Sequence, residues 1–218
     1  MYRILCYGDS NTWGYRPIKS NRYEEGVRWT SIVQNILGDN YKIIEEGLCG
    51  RTTIFNDPIT PNRSGKEMLL GVLDSQSPLD VIVLMLGTND LKRRFNLTAF
   101  DISNGIKQLL DLIKNHYQNY QVKRPEIVLV CPPEIGENLE LTDSSLYFSK
   151  EHSLKESKNL AKFYKPIAES YNCTFLNAND ITEVSEDDCV HFSEKGHKMF
   201  AEGIAPYILD ACNKIKKN

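Results

Sequence analysis

The chain has 218 residues, 41% hydrophobic and 25% charged, with a mean hydropathy of -0.40; at roughly 150 residues per domain this suits one well-filled globular domain over residues 1–218 and excludes disordered and fibrous classes. Lys and Arg number 26 against 29 Asp and Glu, a net charge of -3, so no basic field recruits nucleic acid or anionic lipid. The longest uncharged apolar run, residues 81–88, has the length of a strand and falls short of the ~18 residues of a spanning helix, so no membrane partner is expected.

In chain order, short apolar runs alternate with stretches of helical period. Residues 3–7 predict the first strand, entered so directly from Met1 that no export signal is expected; the sequons at Asn62, Asn96 and Asn172 are then chance matches. Residues 28–37 predict a helix and 41–45 a strand, then 64–74 a helix and 80–86 a strand. Residues 98–116 follow as a helix whose Ile102, Ile106, Leu109, Leu110 and Ile113 recur at three- and four-residue steps, with Thr98 as its N-cap. Strand 126–131, helix 149–171, strand 174–176 and helix 193–215 complete the series, with Pro166 expected to kink or split its helix. The pattern predicts an α/β fold: a three-layer α/β/α sandwich around a five-stranded, mainly parallel sheet. The loops that follow its strands leave from the carboxyl edge, where such sheets bind ligands.

Six cysteines, Cys6, Cys49, Cys131, Cys173, Cys189 and Cys212, are scattered without C-x-x-C pairing or zinc spacing, which reads as a reduced, cytoplasmic chain. Neither H-E-x-x-H nor a clustered His/Cys/Asp set occurs, so no metal is expected.

Three blocks carry chemistry at that edge. Gly8-Asp9-Ser10-Asn11 follows the first strand and presents Ser10 on a turn; by itself such a serine is more often a helix N-cap than a nucleophile. Asp188-Cys189-Val190-His191 supplies the groups a serine needs as nucleophile: an imidazole to take its proton and a carboxylate to fix the imidazole tautomer. Gly87-Thr88-Asn89-Asp90 closes the third strand, where the Asn89 amide can donate to the oxyanion formed in acyl transfer, and the glycines of Gly47-Leu48-Cys49-Gly50 offer close backbone approach for a second donor.

These blocks, in this order, resemble the SGNH (GDSL-type) hydrolase superfamily over essentially the whole chain, and that resemblance implies its flavodoxin-like fold. It implies Ser10 as nucleophile and oxyanion donor, Gly50 as second backbone donor, Asn89 as side-chain donor, His191 as base and Asp188 as its orienter. The D-x-x-H spacing selects Asp188 over the adjacent Asp187. The runs Gly8-Asp9-Ser10-Asn11-Thr12-Trp13-Gly14-Tyr15, Val27-Arg28-Trp29-Thr30, Ile44-Glu45-Glu46-Gly47-Leu48, Arg51-Thr52-Thr53 and Met85-Leu86-Gly87-Thr88-Asn89-Asp90 look like the bacterial arylesterase and acyltransferase branch. Asn11 departs from the family pattern, standing where the name-giving motif has Leu. The implied activity is a serine esterase acting on a small-molecule short-chain ester without a cofactor, with acyl transfer to alcohols as an extension. Water exclusion, by loop packing or by a neighbouring subunit in a homo-oligomer, controls that transfer.

Trp13, Tyr15, Trp29 and Phe95 are candidates to line the substrate pocket, and core packing is the competing reading for each. His197 reads as structural, and Arg51 as a brace in preference to an anion ligand. A carbohydrate O-acetylesterase with the same triad is the nearest alternative. From another class, the architecture suits a flavin- or nucleotide-binding module, against which stand the missing glycine-rich phosphate motifs and the acidic Asp9 in the turn.

Overall fold

The computed structural model describes residues 1–120 and 122–217. The chain enters through β1 (Tyr2–Gly8), a one-turn helix α1 (Ser10–Trp13) and a small antiparallel ribbon, β2 (Tyr15–Arg16) and β3 (Asn21–Arg22). It continues through α2 (Trp29–Leu37), β4 (Tyr41–Gly47), α3 (Gly65–Gln76), β5 (Val81–Met85), α4 (Ala99–Asn119), β6 (Glu126–Cys131), α5 (Lys155–Ser170), β7 (Thr174–Asn177) and α6 (Glu194–Lys217). Five strands pair in the order β4-β1-β5-β6-β7, all parallel. The expected five-stranded sheet is thus present; the ribbon β2–β3, two residues per strand, lies in a stretch read as loop.

The two-residue repeat of the strands splits the core in two. Leu5, Tyr7, Ile82, Leu84, Ile127 and Leu129 face one layer with side chains of α3, α4 and α5, while Ile4, Cys6, Val81, Val83, Val128 and Val130 face the other with Trp29, Val33, Phe200 and Ile204 of α2 and α6. In α4 the stripe Ile102, Ile106, Leu109, Leu110 and Ile113 is fully buried, and Thr98 and Asp101 close a reciprocal capping box at its start. The helix is not split at Pro166: α5 runs through it, and the irregular turn falls earlier, a wide π-type turn at residues 150–154. Tyr164 and Ala168 are buried on either side of Pro166, and this packing outweighs the lost backbone hydrogen bond. Among the described residues no helix is long and apolar enough to cross a membrane.

Register sets the working edge. Gly8 pairs with Gly47 on one side and Met85 on the other, so β1, β4 and β5 stop at about the same level. A Cβ on Gly47 would sit 2.1 Å from the Trp13 backbone nitrogen, and its absence lets α1 lie directly on the end of β4.

Candidate active site

Asp9 caps α1 by accepting the Asn11 N–H at 2.9 Å, which makes Ser10 the first helical residue beyond the sheet edge. The Ser10 hydroxyl lies 2.8 Å from His191 Nε2, and His191 Nδ1 lies 2.6 Å from Asp188 Oδ2. Assigning the ring proton to Nδ1, where it meets a carboxylate, leaves Nε2 as acceptor for the serine proton.

The loop that carries His191 is folded by its own sequence. Cys189 adopts φ +62°, and Asp188 Oδ1 accepts the N–H groups of Val190 and His191 at 3.0 and 2.9 Å, so one carboxylate holds both the backbone and the ring of the histidine. Burial pushes the Asp188 carboxyl up, but the His191 hydrogen bond, the His191 charge and these two N–H groups together hold it below its ordinary range. Asn11 grips the loop from the serine side: its Nδ2 donates to Val190 O at 3.2 Å and its Oδ1 accepts the Phe192 N–H at 2.9 Å, one bond on each side of His191. The departure at position 11 is therefore structural, joining the first loop to the last.

Asn89 Nδ2 donates to Arg51 O at 3.1 Å, which spends one amide proton and leaves the other. Gly50 has φ +83°, a conformation suited to glycine, and among the described residues neither its N–H nor that of Ser10 donates to a backbone carbonyl. The loops carrying Gly50 and Asn89 are tied by Asp90, which accepts the Thr53 N–H at 3.0 Å and the Thr53 hydroxyl at 2.5 Å. Burial pushes the Asp90 carboxyl up to about 7 against those bonds, with Asp9 adding to the rise. Arg51 is buried as a brace, donating to the carbonyls of Gly8 and Glu46 with its guanidinium 4.1 Å from the Tyr7 ring centroid. Ser10, Gly50, Asn89, Asp188 and His191 all border one cavity of about 570 Å³.

The model of the GDSL-like lipase/acylhydrolase family matches residues 6–199. The chain belongs to that family. Its structure is similar to that of a carbohydrate acetylesterase family member from Sinorhizobium meliloti, with 33% identity, TM-score 0.91, and coverage of 98% of this chain and 100% of the other. It is likewise similar to the native aryl esterase of M. smegmatis, with 30% identity, TM-score 0.89, and coverage of 97% and 100%. A comparison with curated proteins returned no match. Membership makes the protein a carboxylic ester hydrolase and decides against the flavin or nucleotide module.

Of the expected pocket residues, the hydrolase brings only Tyr15 to the cavity, its ring packed on the His191 imidazole with centroids 4.3 Å apart. Trp13 is not on the wall: it lies beneath the Arg22 guanidinium, 5.3 Å from the ring centroid, with Arg22 Nε bonded to its carbonyl at 2.7 Å. Phe95 packs beside Arg94, also off the wall. Trp29 is fully buried, edge-on to Phe200, with its indole N–H on Asn11 O. His197 is buried behind the site, accepting the Trp29 N–H at 3.2 Å, and burial depresses its ring pKa to about 3. The rest of the wall comes from residues that sequence reasoning missed, among them Ile18, Cys49, Lys92, Arg94, Tyr147 and Phe148. Their only signal was membership of loops leaving the carboxyl edge.

Proposed function

We propose that the protein cleaves short-chain carboxylic esters through an acyl-enzyme on Ser10. The observation that carries this reading is the continuous chain Ser10–His191–Asp188 on the wall of a cavity shared with Gly50 and Asn89. Ser10 Oγ attacks the ester carbonyl while His191 Nε2 takes its proton, and Asp188 stabilises the imidazolium. Negative charge on the tetrahedral oxygen is met by the N–H groups of Ser10 and Gly50 and by the Asn89 amide. His191 then protonates the departing alkoxide, leaving the acyl group on Ser10. Water activated by the same imidazole releases the acid, and an alcohol in its place gives acyl transfer. The first and last loops serve one site, which supports a single catalytic domain, and six free cysteines suit a reducing cytoplasm.

A second reading, carbohydrate O-acetylesterase, is supported by the Sinorhizobium meliloti neighbour and by hydroxyl-bearing side chains on the cavity, Ser20, Thr60 and Ser144. Rates on acetylated sugars against aryl acetates separate the two. The chemistry itself is tested with para-nitrophenyl acetate. Ser10→Ala is expected to lower kcat by at least about 10⁴-fold, and peptide mass analysis of quenched wild-type enzyme is expected to place the acetyl group on Ser10. Full activity in the variant would sink the assignment.

A further inference from the structure

Lys92 stands three residues after Asn89 and borders the cavity that holds Ser10 and His191. Its neighbour Arg94 also reaches that wall, but Arg94 Nη2 is engaged with Asp57 Oδ2 at 2.5 Å, and Asp57 is itself buried and fixed by the N–H groups of Ile59 and Thr60. Lys92 has no such partner: among the described residues no carboxylate lies within ion-pair distance of its ammonium. A half-buried cation without an ion-pair partner is costly, and a substrate anion would lower that cost. Resting on the Ser10 esterase reading and deepening it, we propose that Lys92 determines specificity: the cavity takes esters bearing a carboxylate, with the Lys92 ammonium as its counter-ion.

Charges of both signs surround Lys92. Burial pushes its ammonium down to about 8, Arg94 acts in the same direction, and Asp57, Asp9 and Asp90 oppose. Asp143, Asp187, Asp188 and His191 border the same cavity, and Asp188 is occupied by His191. The cation is therefore present below about pH 8 and lost above it.

The test measures kcat/KM on two matched pairs. Para-acetoxybenzoate against para-acetoxybenzamide places the carboxylate on the alcohol side; monophenyl adipate against phenyl hexanoate places it on the acyl side. Lys92→Met is expected to lower the anionic-to-neutral ratio about ten-fold relative to wild type in one pair, and Lys92→Arg to restore it. The pair that responds identifies the side that Lys92 reads. If Lys92→Met is recovered unfolded, wild type carries the test alone: its ratio is expected to fall as pH rises through about 8. A ratio unmoved by Lys92→Met in both pairs, or flat through that pH where the variant does not fold, overturns the proposal and leaves the Ser10 chemistry standing. Failure of wild type to hydrolyse any of the four esters overturns the esterase reading, and the proposal with it.

Discussion

On the inner wall of the cavity Ser10 and Asn89 are buried, as are their chain neighbours Asn11 and Asp90 behind it, and each of the four makes a side-chain hydrogen bond to another loop of the same edge. At the mouth the picture changes: Ile18 is 80% exposed, Tyr147 52%, and the neighbouring Ile59 and Leu146 71% and 74%. In the proposed mechanism the inner wall has to present a nucleophile, a base and three donors at fixed separations, which demands redundant bonding. The mouth has only to admit and orient the remainder of an ester, and its loops are free of that demand. Chemistry is thus held by the sheet, and selectivity is left to the loops.

The sharpest challenge to this division is Asn89→Ala. Removal of one oxyanion donor is expected to lower kcat by about 10²–10³-fold with KM little changed; an unaltered kcat would mean that the amide faces a structural partner only. Asp90→Asn examines the bonding beneath it. Asp90 has a raised pKa when folded, so the folded state keeps the proton that the unfolded chain releases, and wild-type stability from this group declines from about pH 4 until about pH 7. In urea denaturation across that range the variant is expected to gain a few kcal/mol relative to wild type; a constant difference would remove the titration from the account.

Asn11→Leu installs the residue of the family's name-giving motif and deprives Val190 O and the Phe192 N–H of their partners. We expect kcat to fall roughly ten-fold as His191 loses its alignment, together with a lower melting temperature. Unchanged kinetics would show that Asp188 alone suffices to hold the loop. Tyr147→Ala, at the mouth, is expected to shift the relative rates among alcohol leaving groups by about three-fold, the scale of one apolar contact, with a smaller effect on acetyl transfer to Ser10. An effect as large as that of Asn89→Ala would erase the contrast between wall and mouth.

What was legible in the sequence follows the same boundary. The blocks around Ser10, Asn89 and His191 are contiguous, directly follow apolar strand runs or lie in the last loop, and contain residue types whose chemistry depends on one another. Asn11 was visible only as a departure, because its partners lie 179 and 181 positions away and nothing local marks them. For the cavity wall residue type alone points to Trp13, Tyr15 and Phe95; the structure keeps Tyr15 there, turns the other two rings toward arginines and uses Tyr147 and Phe148, from a loop with no periodic pattern. Pro166 shows the same limit from the other side, since local propensity predicts a kink or a split, and burial on both flanks keeps the helix unsplit. Lys92 resembles any loop lysine until Arg94 is seen to be engaged and Lys92 is not.

The Ser10–His191 bond spans 181 positions. Synthesis proceeds from the amino terminus, so on the proposed reading a nascent chain carries its nucleophile well before its base, which arrives with the loop before α6. Until then Ser10 is expected to behave as an ordinary hydroxyl. On the proposed reading a fragment ending before Asp188 is expected to be silent however well its first strands have folded.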